Sequence, residues 1–393
     1  MAKKITDSVY YVGSRHWDRR LFDELIPLPD GTTYNSYVVI GSEKTALVDS
    51  VDPSKVHELL GNLEETGLDR IDYIISNHAE QDHSGAIPTL LEKFPMAKVV
   101  TNQKCKGFLK DLLMIEDGKF LIVDDRDTLS LGNKTLEFIL APWVHWPETM
   151  FTYLREDGIL FSCDFLGSHL ATSQLFASKE PKVYESAKRY YAEIMMPFRN
   201  MIKNHLKRLN EYDIRIVAPS HGPIYDDPEF IINAYKDWIS DEVKNEVVIV
   251  YVSMHDSTKV AVEYLIKKLE EKNIIVKPFN LTVSDLGEIA MALVDAATVI
   301  VASPTVLTGL HPYAANVVFL LNALRPKTRF ISLISSYGWG SKIVDQTKQL
   351  LTNLKVEFLE PVLIKGYPKD SDLKELDELV ENLHEKHKNL MKI

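Results

Sequence analysis

Four residues able to bind a metal fall within six positions of the segment DYIISNHAEQDHSGAIPTLLEKF: His78, Glu80, Asp82 and His83. An apolar run, Asp72 to Ser76, leads into them and a helical pattern follows. In an extended segment a spacing of two sends His78, Glu80 and Asp82 to one side, and the adjacent His83 turns inward as the helix begins. Such a loop can serve two neighbouring metals. Taken singly, Asp82 reads equally well as a helix cap and the histidines as surface polars. Taken together, the crowded carboxylates cost free energy unless cations offset them. Three further candidates close apolar runs downstream: His145 in LAPWVHWPETM, Asp164 in GILFSCDFLG and His221 in RIVAPSHGPIY. Other histidines, such as His57, His205, His384 and His387, lie on helical patterns and read as solvated faces. Only Cys105 and Cys163 are present, in no CxxC pair, which excludes a disulfide framework, a zinc ribbon and a four-thiolate iron centre.

A second chemistry is written in VVIVYVSMHDSTKVAVEYL, where a loop from Ser253 to Thr258 joins an apolar strand to a helix. Backbone N–H groups and the positive end of the helix dipole favour an anion there, and Ser253, Ser257 and Thr258 offer hydroxyls to a terminal phosphate. No GxGxxG or GxxxxGK[ST] pattern is present, which argues against a dinucleotide and leaves a plain capped turn as the alternative. Two later strand-end loops, ASPTVLTGLHP at 302–312 and SSYGWGSK at 335–342, belong to the same sheet edge. Three loops converging there would enclose a flat ring on which Tyr337 and Trp339 could stack.

Positioning two such sites calls for two domains. The segment DPEFIINAYKDWISDEVKNE reads as a polar amphipathic helix, and the pattern changes after residue 243. Residues 1–243 show short paired apolar runs with turns at Gly41-Ser42-Glu43, Gly132-Asn133 and Glu156-Asp157-Gly158, so hairpins plus helices are expected. Residues 244–393 alternate apolar strands with amphipathic helices five times, which predicts a doubly wound parallel sheet of flavodoxin type. The last helix, SDLKELDELVENLHEKHKNLMKI, is rich in charge pairs and reads as a solvated face. With 393 residues, 45% of them hydrophobic and 26% charged, the chain can build both cores. Its 45 basic and 56 acidic residues give a net charge of -11 with no long Lys/Arg run, so nucleic acid is not an expected partner. No signal-peptide apolar region and no stretch near the roughly 20 apolar residues of a membrane span is present, so a cytoplasmic protein without membrane contact is expected.

The His-x-Glu-x-Asp-His loop, followed by single His, Asp and His residues, resembles the metallo-β-lactamase fold, which normally carries His-x-His-x-Asp-His. Glu80 in place of the second histidine resembles the flavodiiron proteins, the A-type flavoproteins that include rubredoxin:oxygen oxidoreductases and nitric oxide reductases. In that family a lactamase-like αββα sandwich precedes a flavodoxin-like domain, the order expected here. GTTYNSYVV at 31–39, HWPETM at 145–150, and the Ser-Pro-Thr and Tyr-Gly-Trp-Gly loops are also similar to family stretches. The resemblance implies one iron held by His78, Glu80 and His145, a second held by Asp82, His83 and His221, and Asp164 between them. It likewise implies FMN contacts from Ser253, His255, Ser257, Thr258, Pro304, Thr305, Gly309, Tyr337, Gly338, Trp339 and Gly340.

The charge balance agrees, because three carboxylates set -3 against the +4 of a diferrous pair, and oxygen ligands mixed with imidazole suit iron. The implied activity is reduction of O2 to water, which needs four electrons, or of two NO to N2O, which needs two. Two cysteines cannot form a rubredoxin module, so an external donor, in the family usually a rubredoxin, is expected, as is a head-to-tail homodimer. LFDELIPLPD lacks the histidine that some members place over the iron pocket, which leaves the choice between O2 and NO open. Two rivals remain: a zinc hydrolase of the lactamase fold with an appended FMN module, and a flavin electron carrier with a degenerate metal site.

Overall fold

The computed structural model describes residues 1–391, and its contacts divide the chain into two units: Met1–Tyr191 with Phe198–Ile239, and Ala192–Pro197 with the described chain from Ser240 onward. The first unit is a sandwich of two mixed sheets. One runs Lys3–Lys4, Val9–Tyr11, Tyr37–Ile40, Thr45–Val48, Tyr73–Ile75, Lys98–Thr101 and Phe120–Ile122 in spatial order. Its first three joins are antiparallel and its last three parallel. The other runs Thr128–Ser130, Thr135–Leu140, Met150–Leu154, Ile159–Cys163 and Ile216–Pro219, antiparallel except for the final pair.

Side chains of a strand alternate between its two faces, and the core follows that period. Val39, Ala46, Ile75 and Val100 point between the sheets and meet Phe138, Met150, Phe161 and Ala218. Their neighbours Val38, Leu47, Ile74 and Val99 point outward, against helices Val56–Glu65, Ile87–Lys93 and Gln103–Leu113. On the outer face of the second sheet, Phe151 meets His205 of helix Arg199–Leu209, and Phe165, which follows that sheet's fourth strand, meets Tyr235 of helix Pro228–Trp238. The result is the αββα layering that the family resemblance implies.

In the second unit five parallel positions are ordered Ile275–Asn280, Lys244–Tyr251, Ala296–Val306, Phe330–Tyr337, then the paired short strands Glu357–Phe358 and Val362–Lys365. This is the 2-1-3-4-5 order of a flavodoxin-like sheet. Helices Ser257–Glu271 and Asp370–Leu390 cover one face through Ala261, Leu265, Leu376 and Leu383.

Three local expectations are corrected. The helix foreseen from Asp227 to Glu246 ends at Trp238, and Lys244 already opens a strand. Asp82 is not in extended chain, because a helical turn, Gln81–Ser84, has already begun, and His83 lies in that turn as expected. His387 is not solvated: it is buried, its Nε2 2.7 Å from Thr298 Oγ1 and its Nδ1 2.8 Å from Asn245 Oδ1.

Candidate metal centre and flavin cleft

The candidate ligands of the first unit all follow the carboxyl ends of strands. His78, Glu80, Asp82 and His83 follow Tyr73–Ile75, His145 follows Thr135–Leu140, Asp164 follows Ile159–Cys163, and His221 follows Ile216–Pro219. Folding therefore gathers residues from four segments at one edge of the sandwich. Asp164 is held in a tight turn by Cys163 and Leu166, two non-glycine residues in the left-handed region with φ of 51° and 68°. Such backbone is costly for a side-chain-bearing residue and persists where its surroundings over-determine it.

The two oxygens of Asp164 face different groups. Oδ2 lies 3.6 Å from His78 Nε2 and 3.4 Å from His145 Nε2, and those two nitrogens lie 3.1 and 3.2 Å from Glu80 Oε2. Oδ1 lies 3.0 Å from His83 Nε2 and 3.2 Å from His221 Nε2, which in turn lie 3.3 and 3.1 Å from the Asp82 oxygens. The structure thus brings all seven residues together as two sets sharing one carboxylate. His83 turns inward with the rest.

Residues that the sequence did not single out hold these rings. His78 Nδ1 donates to Glu148 Oε1 (2.7 Å), and His221 Nδ1 donates to the Thr33 carbonyl (2.6 Å). With one ring proton on Nδ1, each Nε2 faces carboxylate oxygens, an arrangement that calls for a cation between them, a metal or, without one, a second proton. Both Asp82 oxygens and Asp164 Oδ2 are buried and face imidazole Nε2 atoms at 3.1 to 3.6 Å, which points the same way. Tyr190 Oη donates to Asp164 Oδ1 (2.8 Å). His169, also missed, packs its ring 4.9 Å from His221 and bonds Thr32 Oγ1 through Nδ1 (2.9 Å). Its spacing of five from Asp164 was the available signal.

The electrostatics of the metal-free cluster are those of mutual neutralisation. Burial alone would lower the pKa of His145 and of His221, but hydrogen bonds to Asp164 and to Glu80 or Asp82 outweigh it and raise them to about 9 and about 10. Against the same burial, His78 is raised by hydrogen bonds to Glu148 and Glu80, and His83 by the charges of Asp164 and Asp82. Burial would raise Asp164 and Glu80, yet the surrounding histidines hold both carboxyls below the usual range. His169 moves the other way, kept neutral by burial and then by the charge of His221.

Glu148 supplies a direct test of positioning. Glu148→Gln keeps the volume but weakens the grip on the His78 tautomer, and is expected to lower affinity for the first metal by about 10- to 100-fold with the fold intact. Stepwise titration of apoprotein with Co2+ would read it, and equal affinity in both proteins would remove Glu148 from the site.

In the second unit Ser253, His255, Ser257, Thr258, Pro304, Thr305, Tyr337 and Gly338 line one open cleft of about 190 Å³, joined by Met254, Ser336 and Gly366. Gly309, Trp339 and Gly340 do not line it; Gly309 pairs with Val306 in a short strand, and Trp339 is 82% exposed. The hydroxyls of Ser253, Ser257 and Thr258 gather at the N-terminus of the 15-residue helix Ser257–Glu271, and Thr258 Oγ1 lies 2.9 Å from Ser336 Oγ. This donor set fits a phosphate ester.

A family model described as ODP family beta lactamase matches residues 32–222. A nitric oxide reductase of Moorella thermoacetica is 36% identical, the match covering 95% of this chain and 96% of that protein. A coenzyme F420H2 oxidase of Methanothermobacter marburgensis is 34% identical over 89% of this chain and 90% of its own. Among solved structures, rubredoxin oxygen:oxidoreductase from Desulfovibrio gigas superposes with a TM-score of 0.96 at 28% identity, covering all of both chains.

Proposed function

Because the chain belongs to the flavodiiron family of oxidoreductases, we propose that it reduces O2 to water, NO to N2O, or both, at a diiron centre in residues 1–243, with electrons relayed through FMN bound in residues 244–393. The observation that carries this reading is the single buried carboxylate of Asp164 shared between two ligand sets. His78, Glu80 and His145 would hold one iron, Asp82, His83 and His221 the other, and Asp164 would bridge. Bound there, a ferrous pair would supply two electrons and open coordination positions for a diatomic, while FMN in the second unit would exchange electrons singly or in pairs.

The chain's own part is positioning. Glu148 and the Thr33 carbonyl keep the Nε2 atoms of His78 and His221 inward. Tyr190 holds one Asp164 oxygen in place, and the buried rings of His169, Phe22 and Tyr34 wall off His221 from water. Preorganised donors and acceptors of this kind need not reorganise during the reaction.

We assign the donor as a rubredoxin, the partner named for the solved relative, with reduced coenzyme F420, named for a curated one, as the competitor in the same assay. We further propose a head-to-tail homodimer, in which the FMN of one subunit serves the metals of the other. No helix among the described residues is long and apolar enough to cross a membrane, and we propose a cytoplasmic location.

The test is elemental analysis with flavin quantitation on protein produced with iron and zinc both available, followed by anaerobic reduction and addition of O2 or NO. About two irons and one FMN per chain with gas turnover is the expected result. Two zinc ions and no turnover would move the assignment to a hydrolase of the lactamase fold. Loss of metal altogether would leave a flavin carrier.

A further inference from the structure

Between Asp164 and the surface of the first unit lie five tyrosine and tryptophan rings, four of them in mutual contact and the fifth their neighbour in the chain. Tyr190, hydrogen-bonded to Asp164, is followed in the chain by Tyr191, whose ring packs 5.4 Å from both Tyr235 and Trp238. Those two are 5.2 Å apart. Trp238 then packs 5.6 Å from Tyr184, which is 44% exposed. Two helices supply most of the path: Val183–Tyr190 carries Tyr184 and Tyr190 at its two ends, and Pro228–Trp238 carries Tyr235 and Trp238.

Ordinary packing does not require these ring types. Phenylalanine would fill the same core with no polar atom to satisfy, whereas the buried Nε1 of Trp238 has no acceptor among the described residues. Phenol and indole differ from a plain benzene ring in one chemical respect that matters beside a redox centre, since they give up a single electron far more readily. A vulnerable group stands at the inner end: the buried Cys163 sulfur lies within 4.8 Å of ligand atoms of His83 and Asp164.

We infer that these rings carry oxidising equivalents out of the metal site to Tyr184 when O2 or a peroxide reacts there without enough donor electrons. This function, protection of the site, rests on the diiron reading above. For hydrogen peroxide the balance is complete. Breaking its O–O bond takes two electrons and two protons and yields two waters. Two Tyr184 phenols, one on each of two chains, each give up one electron and the O–H proton; their ring carbons join in one new C–C bond, and the hydrogen of each joined carbon moves to the phenol oxygen to restore the ring. Each interior ring passes an electron inward toward the metal site and ends unchanged, and the protons travel through solvent.

The experiment treats iron- and FMN-loaded protein with hydrogen peroxide in the absence of donor. It reads dityrosine fluorescence, covalent dimer linked through Tyr184 by peptide mapping, and oxidation of Cys163 by mass. The expected result is a dimer crosslinked at Tyr184 that Tyr184→Phe abolishes. Tyr235→Phe and Trp238→Phe are expected to lower its yield several-fold and to raise Cys163 oxidation. Tyr235→Phe keeps the ring in place, so it tests the path even if Trp238→Phe disturbs folding. A yield unchanged in Tyr235→Phe, or equal in metal-free protein, would mean direct surface oxidation and would overturn the relay alone. Iron is assayed in the same samples, and its absence would overturn both the relay and the diiron assignment beneath it.

Discussion

Replacing Asp164 by alanine is expected to weaken both metals at once, each by at least about a hundredfold, and to abolish turnover. The reason is geometric. Each oxygen of this carboxylate faces its own pair of imidazoles, Oδ2 toward His78 and His145 and Oδ1 toward His83 and His221. Among the described residues no other carboxylate pairs with histidines of both sets. Glu80→Ala should therefore weaken one metal and Asp82→Ala the other, each leaving a singly loaded chain. Metal titration followed by calorimetry separates the three variants. Two intact sites in Asp164→Ala would show that the sets are independent, and the shared-carboxylate reading would have to be given up.

Metal uptake by apoprotein at pH 7 is expected to release roughly one proton for each histidine that is charged beforehand. In the metal-free cluster His145 and His221 titrate near 9 and 10, well above the ordinary value of 6.5, so both still carry protons at pH 7. The sign is as follows. A folded pKa above the unfolded one contributes stability that is fully present below pH 6.5 and is lost as pH rises through 9 to 10. Apoprotein should thus lose stability across that range. Apparent metal affinity should instead climb with pH up to about 10, because fewer protons remain to be displaced. Dye-reported proton release on adding Co2+ in weak buffer checks both statements, and uptake with no net release would contradict them.

Much of the site was legible because the sequence puts its chemistry where strands end. The loop from His78 to His83, and the lone His145, Asp164 and His221, each follow an apolar run, so local pattern alone marked them. Glu148, Tyr190 and His169 carry no such mark. Glu148 lies 70 residues from the histidine it holds, and only folding makes them neighbours. Two readings failed for other reasons. The extended reading of Asp82 fails because no breaker separates the strand from the helical turn that begins at Gln81, whereas the inward turn of His83 at the start of that helix holds. His387 was assigned to solvent from the charge pairs around it, although it falls on the stripe Leu376, Leu379, Val380, Leu383 that faces the core. There the apolar period outweighed composition. The helix expected through Glu246 ran on because Ile239-Ser240-Asp241-Glu242-Val243 contains neither glycine nor proline to end it.

The strand connections also bear on how the chain reaches this state. In the second unit each parallel strand is joined to the next through one helix, so its pairings close short stretches of chain. In the first, Asn35 bonds to Pro219, Ser220 and Gly222, and Tyr37 to Pro219, contacts that span most of the unit. Rates of folding fall as paired residues lie further apart in sequence, since loop entropy is spent before the contacts form. The flavodoxin-like half is accordingly the quicker to form. His221, beside Gly222, joins the cluster only when that long closure is made, so a nascent chain offers metal an incomplete set of ligands until nearly all of the sandwich has assembled.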